Sequence, residues 1–169
     1  MKLTKVETFR IRPRWLLLRL ETDDGLIGWG EPVVEGRAAT TQACIHELEP
    51  YLLGADPRNV EDIWQTIYRG GFYRGGPVLT SALSGIDQAL WDIKGKALGV
   101  PVHELLGGRV REKMEVYSWI DSDTPEICAK SALEKKAQGF RNIKMLGTGR
   151  IGWINDSRAI TGLLEKVQA

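Results

Sequence analysis

The sequence has little histidine, little cysteine and no marked excess of either charge. Of its 169 residues only 2 are His and 2 are Cys, and 23 basic residues stand against 22 acidic ones, for a net charge of +1. Cys44 and Cys128 are isolated, which favours reduced, packed thiols over a disulfide, a metal site or a nucleophile. The balanced charge, without any basic block, argues against a nucleic-acid partner.

Long hydrophobic runs are also missing. No stretch reaches the ~18 apolar residues of a membrane-spanning helix, and the N-terminal segment MKLTKVETFRIRPR lacks the apolar centre of a signal peptide. With 43% hydrophobic and 27% charged residues, the composition is typical of a soluble globular protein. We therefore expect a cytoplasmic protein with no membrane partner, long enough for one domain and part of a second.

The first 31 residues predict an antiparallel meander. Strand-like segments occupy residues 5–11 and 15–22, and a third strand is expected over 26–31. Asp24-Gly25 is a hairpin turn signal, because glycine adopts positive φ without steric cost. The glycines of the third strand would allow another backbone to approach closely.

Three helices are predicted after the meander. The first covers residues 37–54, with Pro50 ending or kinking it. The second covers residues 56–70, with Asp56 as its cap and Pro57 at the first helical position. The third ends at Gly99, just before Pro101. Apolar residues form a stripe along the third helix: Ala82, Ile86, Ala89, Leu90, Ile93 and Ala97.

The third helix also raises the question of an active site, because four charged residues lie within its sequence SGIDQALWDIKGK: Asp87, Asp92, Lys94 and Lys96. Asp87 and Lys94 are two turns apart, which is too far for the usual pairing of residues four apart. The spacing favours a solvated or capping face that supports the fold.

From about Lys113 the pattern changes to strand, helix and strand. Residues 113–120 and 140–146 are strand-like, and the helix between them has Thr124 as cap and Gly139 after its end. Two strands joined by a helix at this spacing predict parallel pairing. A loop and a further helix are expected over residues 147–169.

Several segments resemble the enolase superfamily, in the branch of mandelate racemase and muconate-lactonizing enzyme. They are ETDDGLIGWGEP, GFYRGGPVLTSALSGIDQALWDIKGKALGVPVHELLGG and GFRNIKM. Within that branch, RPRWLLLRLETDDG, GWGEPVVEGRA and IGWINDSRAI are similar to the galactonate dehydratases. The resemblance implies an α+β capping domain over residues 1–112, made of a three-stranded antiparallel meander plus helices. The first two β/α units of an incomplete TIM-like barrel would follow over 113–169.

The function implied by this resemblance is that of a Mg²⁺-dependent acid-sugar dehydratase, which removes water from an aldonic acid to give a 2-keto-3-deoxy acid. A full barrel takes roughly 250 residues, so we expect a truncated N-terminal part, inactive by itself. Its partner would be a small sugar acid, and the complete enzyme would be a homo-oligomer. The alternatives are a stand-alone or split-gene capping module that binds a separate barrel chain, or another acid-sugar dehydratase or racemase of the branch.

Site candidates also follow from the resemblance. Lys144 would end the second barrel strand, and active sites of this fold lie at the C-terminal ends of strands, so it is the catalytic candidate. Leu146 stands where galactonate-type members have Asn. The capping loops supply the substrate-binding candidates, since arginine forks suit carboxylate and hydroxyl oxygens and aromatic rings would shape the wall: Arg14, Trp15, Arg37, Tyr73 and Arg74.

Metal ligands are not expected within this chain. His46 and His103 lie in the capping part and match no catalytic position of the family. Asp156 and Glu165 fall on the last predicted helix, where a cap and a solvated face explain them. The Mg²⁺ implied by the resemblance would therefore lack its three carboxylate ligands here.

Overall fold

The computed structural model describes residues 1–146, together with the helical positions Glu165 and Gln168. The chain divides into two compact units, Met1–Val110 and Arg111–Ala169. The predicted loop and helix over 147–169, including Asp156, otherwise lie outside the described residues. Within the described part of the chain, no helix is long and apolar enough to cross a membrane.

The first unit begins with the predicted meander. Strands β1 (Leu3–Ile11), β2 (Trp15–Thr22) and β3 (Ile27–Gly30) pair antiparallel in the order β1-β2-β3. Alternate side chains of β2 point to opposite faces of the sheet, and three leucines on one face are fully buried: Leu16, Leu18 and Leu20. The core lies between that face and the helices that follow.

Four helices complete the first unit: α1 (Ala38–Leu52), α2 (Val60–Arg69), α3 (Pro77–Leu98) and α4 (Val102–Leu105). Pro50 lies inside α1 and does not end it, since the helix continues to Leu52. One predicted boundary is wrong. The second helix begins at Val60, with Asn59 at its N-cap. The preceding residues form a turn instead, because Asn59 donates its N–H to the Asp56 carbonyl oxygen.

Helix α3 packs very closely on β3, as the glycines of that strand suggested. A Cβ atom on Gly30 would lie 1.9 Å from the Gly85 carbonyl oxygen, and one on Gly28 would lie 2.1 Å from that of Ala89. No residue larger than glycine therefore fits at either strand position without moving the helix. This contact fixes the distance between the sheet and its longest helix.

Polar side chains of α3 also cover the open edge of β3. Gln88 Oε1 accepts the Glu31 N–H at 2.9 Å, and Asp92 Oδ2 accepts the Trp29 N–H at 3.0 Å. Lys96 Nζ donates to the Ile27 carbonyl oxygen at 2.7 Å and also contacts Asp92. The three residues are four apart, so they form one row along the helix. They satisfy backbone groups that an edge strand would otherwise leave unpaired.

The row answers the question raised by the charged stretch: Asp92 and Lys96 are structural. Lys94 lies with its Nζ 5.1 Å from the centre of the Trp91 ring, and burial raises the pKa of Asp87, helped by the charge of Glu61. One residue of the predicted apolar stripe, Ala97, is exposed. Because Lys96 already reaches Ile27, the first residue of β3, Ala97 lies beyond the strand.

The second unit contains β4 (Tyr117–Trp119), α5 (Pro125–Ala137) and β5 (Asn142–Lys144). The two strands pair in parallel, with Tyr117 opposite Asn142 and Trp119 opposite Lys144, which confirms the prediction. Thr124 caps α5 as expected, since its hydroxyl oxygen accepts the Ile127 N–H at 3.3 Å.

Candidate functional site

A cavity of about 430 Å³ lies beside the turn between β1 and β2. Three arginines of this turn region line it, namely Arg10, Arg12 and Arg14. Its other wall is formed by Gly36 and by Ala38 and Ala39 at the start of α1. The arginines make the cavity cationic, and guanidinium groups are suited to hold carboxylate or hydroxyl oxygens.

Arg14, which lines this cavity, has two partners. Its Nη1 atom lies 2.9 Å from Glu35 Oε1, and its guanidinium lies 5.4 Å from the centre of the Trp15 ring. Both charged side chains are substantially exposed, at 48% for Arg14 and 71% for Glu35. Exposed ion pairs of this kind contribute about 0–1 kcal/mol, so an anionic ligand can displace Glu35 at little cost. The sequence did not indicate Glu35, because nothing local links it to Arg14.

The other loop candidates are not part of this cavity. Arg37 is the N-cap residue of α1, where its carbonyl oxygen accepts the Thr41 N–H. Tyr73 is 89% exposed and packs edge-on against Phe72, at 5.2 Å between ring centres. Arg74 is exposed as well. Of the five predicted loop residues, the structure brings Arg14 and Trp15 together.

A second cavity, of about 420 Å³, lies on the other side of the N-terminal half of α1. It is lined by Thr40, Ala43, Cys44 and Glu47 and by residues 75–79, which directly follow Arg74. The two cavities thus flank the same helix.

Lys144 lies at the end of β5, with its Nζ 5.5 Å from the centre of the Tyr117 ring and 5.1 Å from that of Trp119. The next residue, Met145, points the other way and contacts Cys128 of α5 at 3.5 Å between the sulfur atoms. Since side chains alternate along a strand, Lys144 and the two rings occupy the face of the strand pair that α5 does not cover. Tyr117 and Trp119 are two residues apart on a predicted strand, so the sequence could have indicated that their rings share one face.

The described residues do not fit a magnesium site. No group of three or more His, Cys, Asp or Glu side chains is close enough to hold a metal ion in residues 1–146 or at Glu165. His46 lies with its Nδ1 atom 2.5 Å from Glu49 Oε1 and its Nε2 atom 3.4 Å from Thr8 Oγ1. It therefore links α1 to β1.

Comparison with known proteins identifies the first unit. The family model for the N-terminal domain of mandelate racemase / muconate lactonizing enzyme matches residues 5–107. The chain belongs to this family. Its sheet and helices therefore form the capping domain of an enolase-superfamily protein, and the parallel strand pair of the second unit follows that domain.

Similarity to individual proteins extends along nearly the whole chain. D-galactonate dehydratase of Ralstonia nicotianae is 54% identical over 167 residues, which are 99% of this chain and 44% of that protein. The chain thus spans less than half the length of the curated relatives it matches.

Solved structures of the superfamily show the same fold. An enolase from Pantoea ananatis with bound D-gluconate and Mg is 39% identical, with a TM-score of 0.79 over 87% of this chain and 37% of that one. A protein from Mesorhizobium loti is 30% identical, with a TM-score of 0.89 over 99% of this chain and 49% of that one.

Proposed function

We propose that the chain is the N-terminal part of an acid-sugar dehydratase of the galactonate type. The observation that carries this proposal is the 54% identity to a D-galactonate dehydratase over 167 residues. That similarity is long enough to include both the cationic cavity and Lys144. We assign residues 1–112 to the capping domain and residues 113–169 to the beginning of the barrel.

The reaction is the loss of water from an aldonic acid. A proton leaves the carbon next to the carboxylate, a hydroxide leaves the neighbouring carbon, and the enol product rearranges to a 2-keto-3-deoxy acid. Negative charge develops on the carboxylate side of the substrate during proton removal. A lysine ammonium fixed at that position stabilises such charge better in the transition state than in the ground state.

Two parts of the chain have roles in this proposal. Arg14, with Trp15 beside it, would bind the polyol end of the substrate from the capping domain, and Arg37, Tyr73 and Arg74 would contribute from neighbouring loops. Lys144 would face the substrate carboxylate from the strand end. The base would come from elsewhere, because Leu146 has no group that accepts a proton.

Magnesium belongs to the proposal only through the family resemblance. When bound, it would stabilise the enediolate. Since the described residues offer no ligand set, its ligands would lie outside them. We further propose that the complete enzyme is a cytoplasmic homo-oligomer.

A chimera tests the proposal. The corresponding part of the Ralstonia nicotianae D-galactonate dehydratase would be replaced by this chain, and the product acid would be measured with D-galactonate and with D-gluconate. We expect turnover of D-galactonate. A folded chimera without turnover would contradict the proposed function, and a clear preference for D-gluconate would favour another acid-sugar dehydratase, as the gluconate-bound structure suggests.

Lys144→Met in the same chimera tests the catalytic assignment. We expect kcat to fall by about a hundredfold, the size of effect seen when one charge-stabilising group is removed. Lys130→Met is the matched control, because Lys130 is an exposed lysine on α5 in the same unit. Equal kinetics for the Lys144→Met and Lys130→Met variants would show that Lys144 has no role in catalysis.

A further inference from the structure

The environment of Lys144 differs from that of the other lysines in ring contact. Lys94 lies over one ring, that of Trp91, and Lys135 lies over one ring, that of Phe140. Lys144 lies over two, those of Tyr117 and Trp119, at 5.5 and 5.1 Å. Both distances are within the ~6 Å over which an ammonium is attracted to the face of an aromatic ring.

The strand register explains why the two rings meet one lysine. Trp119 is the direct parallel partner of Lys144, and Tyr117 lies two residues earlier on the same face. The contacts therefore join two strands, whereas Lys94 and Trp91 belong to a single helix. A ring partner on a neighbouring strand fixes the position of the ammonium relative to the strand ends.

Rings and carboxylates hold an ammonium with different consequences. A carboxylate partner neutralises the charge, whereas the ring quadrupole attracts the cation and leaves its charge available. In residues 1–146, Lys144 forms no salt bridge. Its ammonium therefore contacts two aromatic rings and lies within salt-bridge distance of no acid among residues 1–146.

We infer that Tyr117 and Trp119 are positioning residues that hold the Lys144 ammonium, still charged, on the strand face opposite α5. A lysine has a long, flexible stem and a single charged group, so without the rings the ammonium would sample many positions. The consequence for turnover rests on the proposed function: the rings would direct the charge of Lys144 toward the substrate carboxylate.

NMR of the 169-residue chain tests the positioning of the Lys144 ammonium without any measurement of activity. Reductive methylation with ¹³C-formaldehyde labels each lysine and keeps its charge. Loss of a signal in Lys144→Arg assigns the Lys144 methyl groups. Because ring currents shift nuclei above a ring upfield, we expect this signal upfield of that of Lys130.

Substitution of the rings should then remove the shift. In Trp119→Leu we expect the Lys144 signal to move toward the Lys130 position, while Trp119→Phe should retain part of the shift. Phe140→Leu is the matched control, since it should move the Lys135 signal and leave that of Lys144 in place. A parent Lys144 signal at the Lys130 position would overturn the inference, and this result needs no variant to fold. An unchanged signal in both Trp119→Leu and Tyr117→Leu would overturn it as well.

Kinetics of the chimera test the consequence for turnover. Trp119→Leu should lower kcat by about two- to fivefold with little change in KM, as expected for loss of one exposed cation–ring contact, and Trp119→Phe should restore part of it. An active parent with unchanged kcat in Trp119→Leu would overturn the link to turnover. An inactive parent chimera would instead overturn the proposed function, and with it the effect of the rings on turnover. The NMR result would still decide whether the rings hold the Lys144 ammonium.

Discussion

At the scale of single residues, Arg14 shows how one side chain joins two loops. It contacts Glu35 from the segment before α1 and Trp15 from the start of β2. Neither contact is buried enough to contribute much stability. The Arg14 side chain is instead positioned so that another anion can replace Glu35 as its partner.

Arg14→Ala should therefore affect binding more than folding. In the chimera we expect KM for the sugar acid to rise about tenfold, the low end of the loss of a charged hydrogen bond. The free energy of unfolding should fall by less than about 1 kcal/mol. Arg69→Ala is the control, because Arg69 is exposed in the last turn of α2. An unchanged KM in Arg14→Ala would show that Arg14 does not bind the substrate.

Asp56 provides a prediction about pH. Hydrogen bonds from the side chain and the backbone of Arg58 lower the pKa of Asp56 from 3.8 to about 2, and the positive charge of the Arg58 guanidinium adds to this effect. A carboxyl whose pKa is lower in the folded state stabilises the protein above its unfolded pKa, and that contribution is lost as the pH falls through the folded value.

Asp56→Asn should remove this contribution. The variant should be slightly less stable than the parent at pH 6, by a fraction of 1 kcal/mol because the pair is exposed. The difference should disappear between pH 4 and pH 2. Denaturant unfolding at several pH values measures it, and a difference that persists unchanged at pH 2 would exclude the pair as its cause.

At the scale of secondary-structure elements, the contact of α3 with β3 organises the first unit. Gly28 and Gly30 allow the helix to reach the strand, and Gln88, Asp92 and Lys96 then satisfy the strand edge. The glycines set the separation at which those side chains can reach the backbone. Both features must be present for the strand to be covered.

Gly30→Ala should separate the two elements. The added methyl group would lie 1.9 Å from a backbone oxygen of α3, so the helix must move, at a cost of about 1–3 kcal/mol or more. Gly71→Ala is the matched control, because its nearest neighbour would lie at an ordinary 3.5 Å. Thermal unfolding of the two variants compares them. Equal midpoints would contradict the close contact.

At the scale of the whole molecule, the two units differ in how much apolar surface they bury. The first unit has a continuous core of sixteen buried residues. Among the described residues of the second unit, the buried apolar side chains are Ile120 and Cys128. Its two strands expose large side chains, including Tyr117, Trp119 and Ile143. The few buried residues described in this unit and the exposed side chains of β4 and β5 predict low local stability or association through strand edges.

Hydrogen exchange of the isolated chain should show this difference. We expect slow exchange for the amides of β2 and α3 and fast exchange for those of β4 and β5, unless the chain associates. Size-exclusion chromatography with light scattering should accompany the measurement. Uniformly slow exchange across both units of a monomer would contradict the prediction.

The sequence by itself determined the elements whose signals are local. Alternating leucines define β2, Thr124 and Pro125 define the start of α5, and Gly99 in a left-handed conformation ends α3. Strand, turn and cap signals act over a few residues, so they can be read without the fold. The family resemblance likewise followed from the order of segments, which the match to residues 5–107 confirmed.

The tertiary structure alone decided which distant groups meet. Asp92 of α3 accepts the Trp29 N–H of β3, and Ala97 extends past the strand that α3 covers. Arg14 forms an ion pair with Glu35, and Lys144 lies over the rings of Tyr117 and Trp119 on another strand. Such pairs depend on how elements far apart in the chain approach each other, and this is set by the packing of the whole unit, since no local pattern specifies it.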